Sequence, residues 1–123
     1  MPDVPTKNDL ASVAAFADRF EGLDPSTIEW YRRPDAVVEW TEALYHHHII
    51  DFESNYMSKS NVALVNRLIE DPSPIARMGL AKLRRVLTFL ARADRHTEGG
   101  WYEKAFESGM AQAATRRLGK LAE

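Results

Sequence analysis

The amino-acid sequence predicts an all-α fold, an irregular compact bundle of five to six helices with at most a minor short β pairing. Apolar residues recur at helical spacing through most of the chain, most strictly in the series Leu80, Leu83, Leu87 and Leu90. Glycines and prolines stand between these runs, where helices begin or end. Only "TIEWY" and "IIDF" have a strand-like composition, so a real sheet is not expected.

The composition is that of a soluble globular protein. The chain has 123 residues, of which 45% are hydrophobic and 28% charged, and it has no cysteine. This length predicts a single domain over residues 1–123, with residues 1–8 poorly ordered. The absence of cysteine excludes disulfides, cysteine zinc sites and thiol nucleophiles. The N-terminus lacks the pattern of a secretory signal and no apolar run is long enough to cross a bilayer, so a cytoplasmic protein is expected.

The first half of the chain predicts two helices. The first extends from about Asp9 to Glu21, and Gly22 ends it. Its apolar face contains Leu10, Val13, Phe16, Ala17 and Phe20. The second begins at Pro34, a residue that favours the first turn of a helix, and continues towards the histidines.

The second half predicts the remaining helices. A third helix extends from about Ser60 to Glu70, and "DPSP" ends it. The central helix begins either at Ser73–Pro74 or near Gly79, in which case residues 75–78 form a separate turn. A short helix from Trp101 to Glu107 follows the glycine pair, and Gly109 separates it from a final helix that ends near Leu121.

The central helix ends in charged residues. The leucine spacing continues to Asp94 and Glu98, with Arg92, Arg95 and His96 beside them, and Gly99 follows. Carboxylates on a core-facing stripe need partners. We therefore expect Asp94 or Glu98 to accept backbone N–H groups from residues 101–103, with Arg95 balancing the charge, so that the cluster forms a structural corner. The alternative is a polar pocket of Asp94, Arg95, His96, Glu98 and Asp51 that acts as an enzyme site or binds a small ligand.

At these residues the chain resembles an uncharacterised bacterial and phage group, domain-of-unknown-function family 6508. The resemblance depends on an Arg-x-acid-Arg-aromatic-x-acid-Gly motif, followed by "FESG" at Phe106–Gly109 and by "RRLGKL". Upstream, Tyr45, Asp51 and Phe52 occupy the positions of a tyrosine- and Asp-Phe-containing segment. The matching region covers roughly residues 34–121, and His96 and Glu53 replace residues that are usually aromatic. The resemblance implies a small helical fold and carries no activity.

Charge is unevenly distributed along the chain. Residues 1–61 hold 5 basic and 11 acidic side chains (−6), and residues 62–123 hold 11 basic and 7 acidic (+4). We expect the two halves to fold against each other with complementary charge; the alternative is a bipolar surface that steers a charged partner. The central helix has a basic side, formed by Arg77, Lys82, Arg84, Arg85 and Arg92. This side is expected to be solvated or covered by the acidic half, with weak nucleic-acid binding as an alternative, because a pI of about 6.1 is low for such a protein.

The run His46, His47 and His48 does not predict a metal site. Histidines that share one ion on a helix stand three or four residues apart, whereas consecutive side chains point about 100° apart. We expect no metal and no cofactor.

The aromatic residues of the first half are the candidate contacts to a partner. They are dense over 27 residues, and most are expected in the core. Any that remain exposed are the best anchors for another protein. The candidates are Trp30, Tyr31, Trp40 and Tyr45. The sequence therefore favours a non-enzymatic protein-binding domain, adaptor or regulatory, that is a monomer or homodimer and binds neither membrane nor, by preference, nucleic acid. The resemblance alone adds that a phage or mobile-element protein acting on a host factor fits this profile.

Overall fold

The computed structural model describes residues 4–28, 32–53, 55–94 and 100–123. Within these residues the chain forms six α-helices and three 3-10 helices, and its extended pairing is limited to an isolated bridge at Arg32. The α-helices are α1 (Lys7–Ala14), α2 (Asp35–His46), α3 (Lys59–Glu70), α4 (Leu80–Asp94), α5 (Gly100–Glu107) and α6 (Met110–Leu121). The 3-10 helices are Ala15–Phe20, Pro25–Thr27 and Ser73–Arg77. The predicted all-α fold is confirmed. Among the described helices, none is both long and apolar enough to cross a membrane.

The first predicted helix is two elements, and it begins earlier than expected. Thr6 and Asp9 form a capping box, in which the Asp9 backbone N–H donates to Thr6 Oγ1 (3.1 Å) and the Thr6 N–H donates to Asp9 Oδ2 (2.9 Å). This cap starts α1 at Lys7, within the segment 1–8, whose first three residues lie outside the described part. The helix tightens to a 3-10 helix at Ala15, and Gly22 with φ of 79° follows.

The central helix begins at Leu80, after a separate 3-10 helix. A start at Ser73–Pro74 was therefore wrong, and the alternative start near Gly79 is confirmed. The physical reason is the extended backbone of Met78 (φ −75°, ψ 137°), which interrupts the helical path. Asp94 is the last described residue of α4, so the predicted continuation to Glu98 lies outside the described residues.

Two helices organise the packing. In α4 every residue from Val86 to Ala91 is buried, and the helix contacts α3, α5 and α6. The α6 helix contacts α1, α4, α5 and two of the 3-10 helices. Its approach to α1 is close: a Cβ added at Gly119 would lie 3.1 Å from the Ala14 Cβ.

The N-terminal and C-terminal halves fold against each other. The contact of α1 with α6 includes the buried apolar side chains of Leu10, Val13 and Leu118. An ion pair between the halves, Arg33 with Asp94, takes its cation from the acidic half and its anion from the basic half.

An aromatic cluster fills the core between α2, α5 and the first 3-10 helix. The Trp40 ring lies 5.6 Å from that of Phe20 and 5.5 Å from those of Tyr102 and Phe106, centroid to centroid. The Phe20 and Phe106 rings meet edge to face at 4.9 Å. Such contacts stabilise the packing beyond the area they bury. They fix the position of Tyr102 at the beginning of α5.

Candidate functional site

The end of α4 is held by a fully buried carboxylate. Asp94 has a side chain with 0% exposure, and its Oδ1 accepts the backbone N–H of Tyr102 at 2.9 Å. This is the bond to the next helix that the sequence led us to expect. Its Oδ2 pairs with the guanidinium of Arg33, which precedes α2. One carboxylate therefore joins α4, the first turn of α5 and the segment before α2.

Arg33 and Tyr102 complete the buried corner, which we define as Arg33, Thr41, Asp94 and Tyr102. The Arg33 guanidinium carbon lies 5.1 Å from the centroid of the Tyr102 ring. The Tyr102 and Thr41 hydroxyls are 2.8 Å apart, and Thr41 Oγ1 also donates to the Val37 carbonyl (2.9 Å). Thr41 thereby satisfies the only polar group on the fully buried Tyr102 ring.

Burial sets the titration of both groups in the corner. Burial raises the pKa of Asp94, against the opposing effects of the Tyr102 N–H and the Arg33 guanidinium. Burial likewise raises the pKa of Tyr102 well above its ordinary range. Since neither side chain has solvent-accessible area and each is engaged by neighbours, the corner is suited to holding segments together.

Of the residues of the proposed pocket, the structure describes Asp51 and Asp94. Asp51 belongs to the loop after α2: its backbone N–H donates to Thr88 Oγ1 (2.9 Å), and its Oδ1 accepts the Glu53 N–H (3.1 Å). Thr88 precedes Asp94 by six residues, which is about 9 Å along a helix axis. The backbone of Asp51 thus contacts α4 six residues before Asp94. Arg95, His96, Glu98 and Gly99 lie outside the described residues.

The basic side of α4 binds the chain's own segment 49–61. Arg84 Nε donates to the Ile49 carbonyl (3.2 Å), and Arg85 donates through Nε and an NH2 group to Asn61 Oδ1 (3.0 and 2.6 Å). The Arg92 guanidinium carbon lies 4.4 Å from the centroid of the Tyr56 ring. Arg85 is exposed, as expected of a solvated side, whereas Arg84 and Arg92 are half-buried. The partners named above are carbonyl, amide and aromatic groups.

Around Arg92 the chain presents an aromatic surface, which we define as Tyr45, Phe52, Tyr56 and Arg92 together with Met57, the exposed neighbour of Tyr56 in the chain. The Tyr45 and Phe52 rings lie 5.8 Å apart, and Arg92 lies 5.9 Å from the Phe52 centroid. Phe52 is 68% exposed and Met57 is 53% exposed, while Tyr45 and Tyr56 are half-buried. Large apolar side chains are thus held in place yet open to solvent.

The four aromatic residues predicted to contact a partner lie in different places. Tyr45 belongs to the aromatic surface. Trp40 is 0% exposed and is not available to a partner in this structure, because α2 turns it into the aromatic core. Trp30 and Tyr31 lie outside the described residues.

The three histidines do not converge. His47 Nδ1 lies 3.0 Å from Asp9 Oδ1 and joins α2 to α1, whereas His46 is exposed. His48 follows α2 with φ of 62°, a left-handed conformation that turns the chain after the helix. In the described ranges no group of three or more His, Asp or Glu side chains is placed to hold a metal ion.

Two features were missed by reasoning from the sequence. The partnership of Arg33 with Asp94 spans 61 residues, and no local pattern marks it. The exposed member of the aromatic surface, Phe52, had a weak signal: it stands between Asp51 and Glu53, where a polar loop is expected rather than a core.

Comparison with known proteins adds a family and no activity. No curated protein and no solved structure matches the chain. The sequence profile of one family matches residues 5–123, so the match extends beyond the expected 34–121 and includes α1. The chain therefore belongs to the family of unknown function DUF6508.

Proposed function

We propose that this protein is a non-enzymatic protein-binding domain and that its partner contacts the aromatic surface. The observation that carries this proposal is the exposure of Phe52, 68%, within a cluster that also holds Tyr45 and Arg92. An aromatic side chain of this kind loses water-exposed apolar area when a partner covers it.

The composition of the aromatic surface supports a protein partner. Tyr, Phe, Met and Arg are the residue types enriched at the centre of protein interfaces, and truncation of such anchors dominates binding energies. Arg92 is also pre-positioned, because its guanidinium lies over Tyr56 at 4.4 Å. Less side-chain entropy is lost on binding when an anchor is already held.

The two other candidate functions have weaker support. An acid–base enzyme built on Asp94 requires a carboxylate that reaches a substrate, whereas this one has no exposed area and two donors. Nucleic-acid binding through the basic side of α4 relies on guanidinium groups that contact phosphates, whereas Arg92 lies over the Tyr56 ring and Arg85, although exposed, already donates to Asn61.

The test compares two truncations of exposed apolar side chains. Phe52→Ala removes the anchor, and Val38→Ala is the matched control, because Val38 is also exposed (40%) but lies on α2 outside the aromatic surface. Wild-type protein is expected to capture a protein that Phe52→Ala does not. With that protein purified, calorimetry is expected to show affinity weakened by about tenfold or more for Phe52→Ala and changed by less than about twofold for Val38→Ala.

Thermal unfolding checks that both variants remain folded, because truncating an exposed side chain should leave the melting temperature nearly unchanged. Equal capture by Phe52→Ala and the wild type would remove the aromatic surface as the interface. Dimerisation in sedimentation runs that Phe52→Ala abolishes would replace the external partner with a second copy of the chain.

A further inference from the structure

A groove of about 490 Å³ lies between the 3-10 helix Ser73–Arg77 and α6. We call it the basic groove. Its lining consists of Pro72, Ser73, Ala76, Ala113, Arg116, Arg117 and Lys120. Its volume is within the range of ligand-binding clefts in proteins.

The α6 side of the basic groove is one face of a helix. Ala113, Arg116, Arg117 and Lys120 have the spacing i, i+3, i+4 and i+7, which places them in one stripe. The buried face of the same helix is separate and contains Ala111, Ala114 and Leu118. Three of the four groove-facing residues of α6 are therefore cations.

One of these cations is fixed by the fold. Arg117 Nε donates to the Met78 carbonyl at 2.9 Å, and this bond ties α6 to the segment before α4. Arg116 and Lys120 are exposed. The contact of Lys120 with Glu123, at 3.7 Å, joins two side chains that are 69% and 73% exposed, so it is a weak surface pair.

The lining is chemically two-sided. Pro72, Ala76 and Ala113 contribute apolar area, the three cations contribute positive charge, and no carboxylate is among the described residues that line the groove. An apolar ligand alone brings no counter-charge to a lining whose charged groups are all cations, and an inorganic anion alone leaves the apolar area uncovered. A ligand that matches both carries carboxylates next to apolar side chains.

We propose that the basic groove binds an acidic amphipathic peptide segment of another protein. The carboxylates of the segment pair with Arg116, Arg117 and Lys120, and its apolar side chains cover Pro72, Ala76 and Ala113. This is the helix-in-groove or extended-peptide type of recognition, in which a polar rim sets the register. The groove is distinct from the aromatic surface: Arg117 contacts the Met78 carbonyl just before α4 begins at Leu80, whereas Arg92 lies 12 residues after Leu80, about 18 Å along a helix axis.

The experiment measures fluorescence anisotropy of a fluorescein-labelled peptide with the repeat Glu-Glu-Leu-Leu, titrated with the full chain. The expected result is saturable binding that weakens by about tenfold or more in Arg116→Glu/Lys120→Glu, because two attractions become repulsions. The matched control is Lys7→Glu/Lys59→Glu, which makes the same change in net charge at exposed positions of α1 and α3 and is expected to bind like the wild type. Ala76→Trp, which fills the groove without changing its charge, is expected to abolish binding.

Each remaining outcome counts against the proposal. Equal binding of a Gln-Gln-Leu-Leu peptide would show that the cations do not select the ligand. Displacement of the peptide by inorganic phosphate at similar concentrations would reduce the groove to a general anion site. Tighter binding of single-stranded DNA of the same net charge would make it a nucleic-acid surface. Loss of peptide binding in the control variant would show an unspecific charge effect. No partner of the aromatic surface enters this test, so either proposal can fail without the other.

Discussion

Asp94 is the residue at which three segments of the chain meet. A carboxylate without exposed area costs several kcal/mol in lost hydration, so it needs donors on both oxygens. The Tyr102 N–H supplies one donor and Arg33 the other. Each donor belongs to a different segment, so the loss of either leaves a charge or an N–H group buried without its partner. The contribution of this corner to the free energy of unfolding therefore depends on Asp94, Arg33 and the Tyr102 N–H together more than on either pair alone.

This dependence predicts a strongly non-additive double-mutant cycle. Asp94→Asn replaces one acceptor oxygen by an NH2 donor, so a buried donor faces either the Arg33 guanidinium or the Tyr102 N–H, and the change is expected to lower the free energy of unfolding by about 3 kcal/mol. Arg33→Met leaves Asp94 with the Tyr102 N–H alone and is expected to cost a similar amount. The double variant removes both charges, so we expect it to be more stable than the sum of the singles predicts by about 1–3 kcal/mol. Urea unfolding of the four proteins measures all of these terms.

The cycle has a clear contrary result. If Asp94→Asn costs less than about 1 kcal/mol and the two changes add, the carboxylate does not hold the corner. If the fold survives Asp94→Asn while a ligand-dependent rise in melting temperature disappears, the pocket alternative gains support.

At the scale of elements, α4 does more than bury its leucines. Arg84, Thr88 and Arg92, spaced four residues apart, contact segment 49–61 through a carbonyl, a backbone N–H and an aromatic ring. Arg85 adds Asn61, whose own Nδ2 donates to the Asn55 carbonyl (2.9 Å). The described residues of this segment form no helix before Lys59, so the segment depends on α4 for many of its polar contacts. It also presents Phe52 and Met57, so α4 holds the aromatic surface in place.

Thr88 and Thr115 give a matched pair of tests for this role. Both are fully buried helical threonines, but Thr88 Oγ1 accepts the Asp51 N–H, whereas Thr115 Oγ1 donates to Ala111 within its own helix. Thr88→Val is expected to cost about 1–3 kcal/mol, because a buried N–H loses its acceptor. Thr115→Val is expected to change stability by less than about 0.5 kcal/mol, since the Ala111 carbonyl keeps its helix bond.

Hydrogen exchange locates the effect of Thr88→Val. The Asp51 amide is expected to exchange faster in that variant and at the wild-type rate in Thr115→Val. Unchanged protection of Asp51 would show that segment 49–61 is held without Thr88.

At the scale of the whole molecule, an interaction was predictable from the sequence when its partners lie close together along the chain. The helices were predictable because their signals are local: the leucine spacing of α4, the glycine break at Gly109 and the proline at the beginning of α2. Asp94 was found because its position on the apolar stripe demanded a donor from the next helix, only eight residues away. Arg33 was missed because it pairs across 61 residues, and the cover over α4 was missed because the contacts span 24 to 37 residues. Only the fold brings these groups together.

The pH dependence of stability is another property of the whole chain, and two carboxylates act on it in opposite directions. The Thr6 backbone N–H, together with His47, lowers the pKa of Asp9 from 3.8 to about 2. The stability that the Asp9 charge contributes is therefore present above its unfolded-state pKa of 3.8 and is lost as the pH falls through about 2. Asp94 has the opposite sign: since burial raises its pKa, its protonation as the pH falls adds stability.

These signs predict the acid side of the stability curve. Asp9→Asn weakens the capping box and the contact with His47, and we expect it to lower the free energy of unfolding by about 1–2 kcal/mol near neutral pH, a value reduced for the 19% exposure of the side chain. The difference between wild type and Asp9→Asn is expected to shrink as the pH falls from about 4 to about 2, because the unfolded wild-type chain takes up a proton on Asp9 in this range while the folded chain still holds the carboxylate ionised. Urea unfolding at a series of pH values measures it. For Asp94→Asn the difference from wild type is expected to grow as the pH falls towards 3.8, because the wild type gains stability when Asp94 is protonated. The stability differences of the two variants therefore change with pH in opposite directions. A difference for Asp9→Asn that is as large near pH 2 as near pH 7 would show that its charge does not stabilise the junction of α1 and α2.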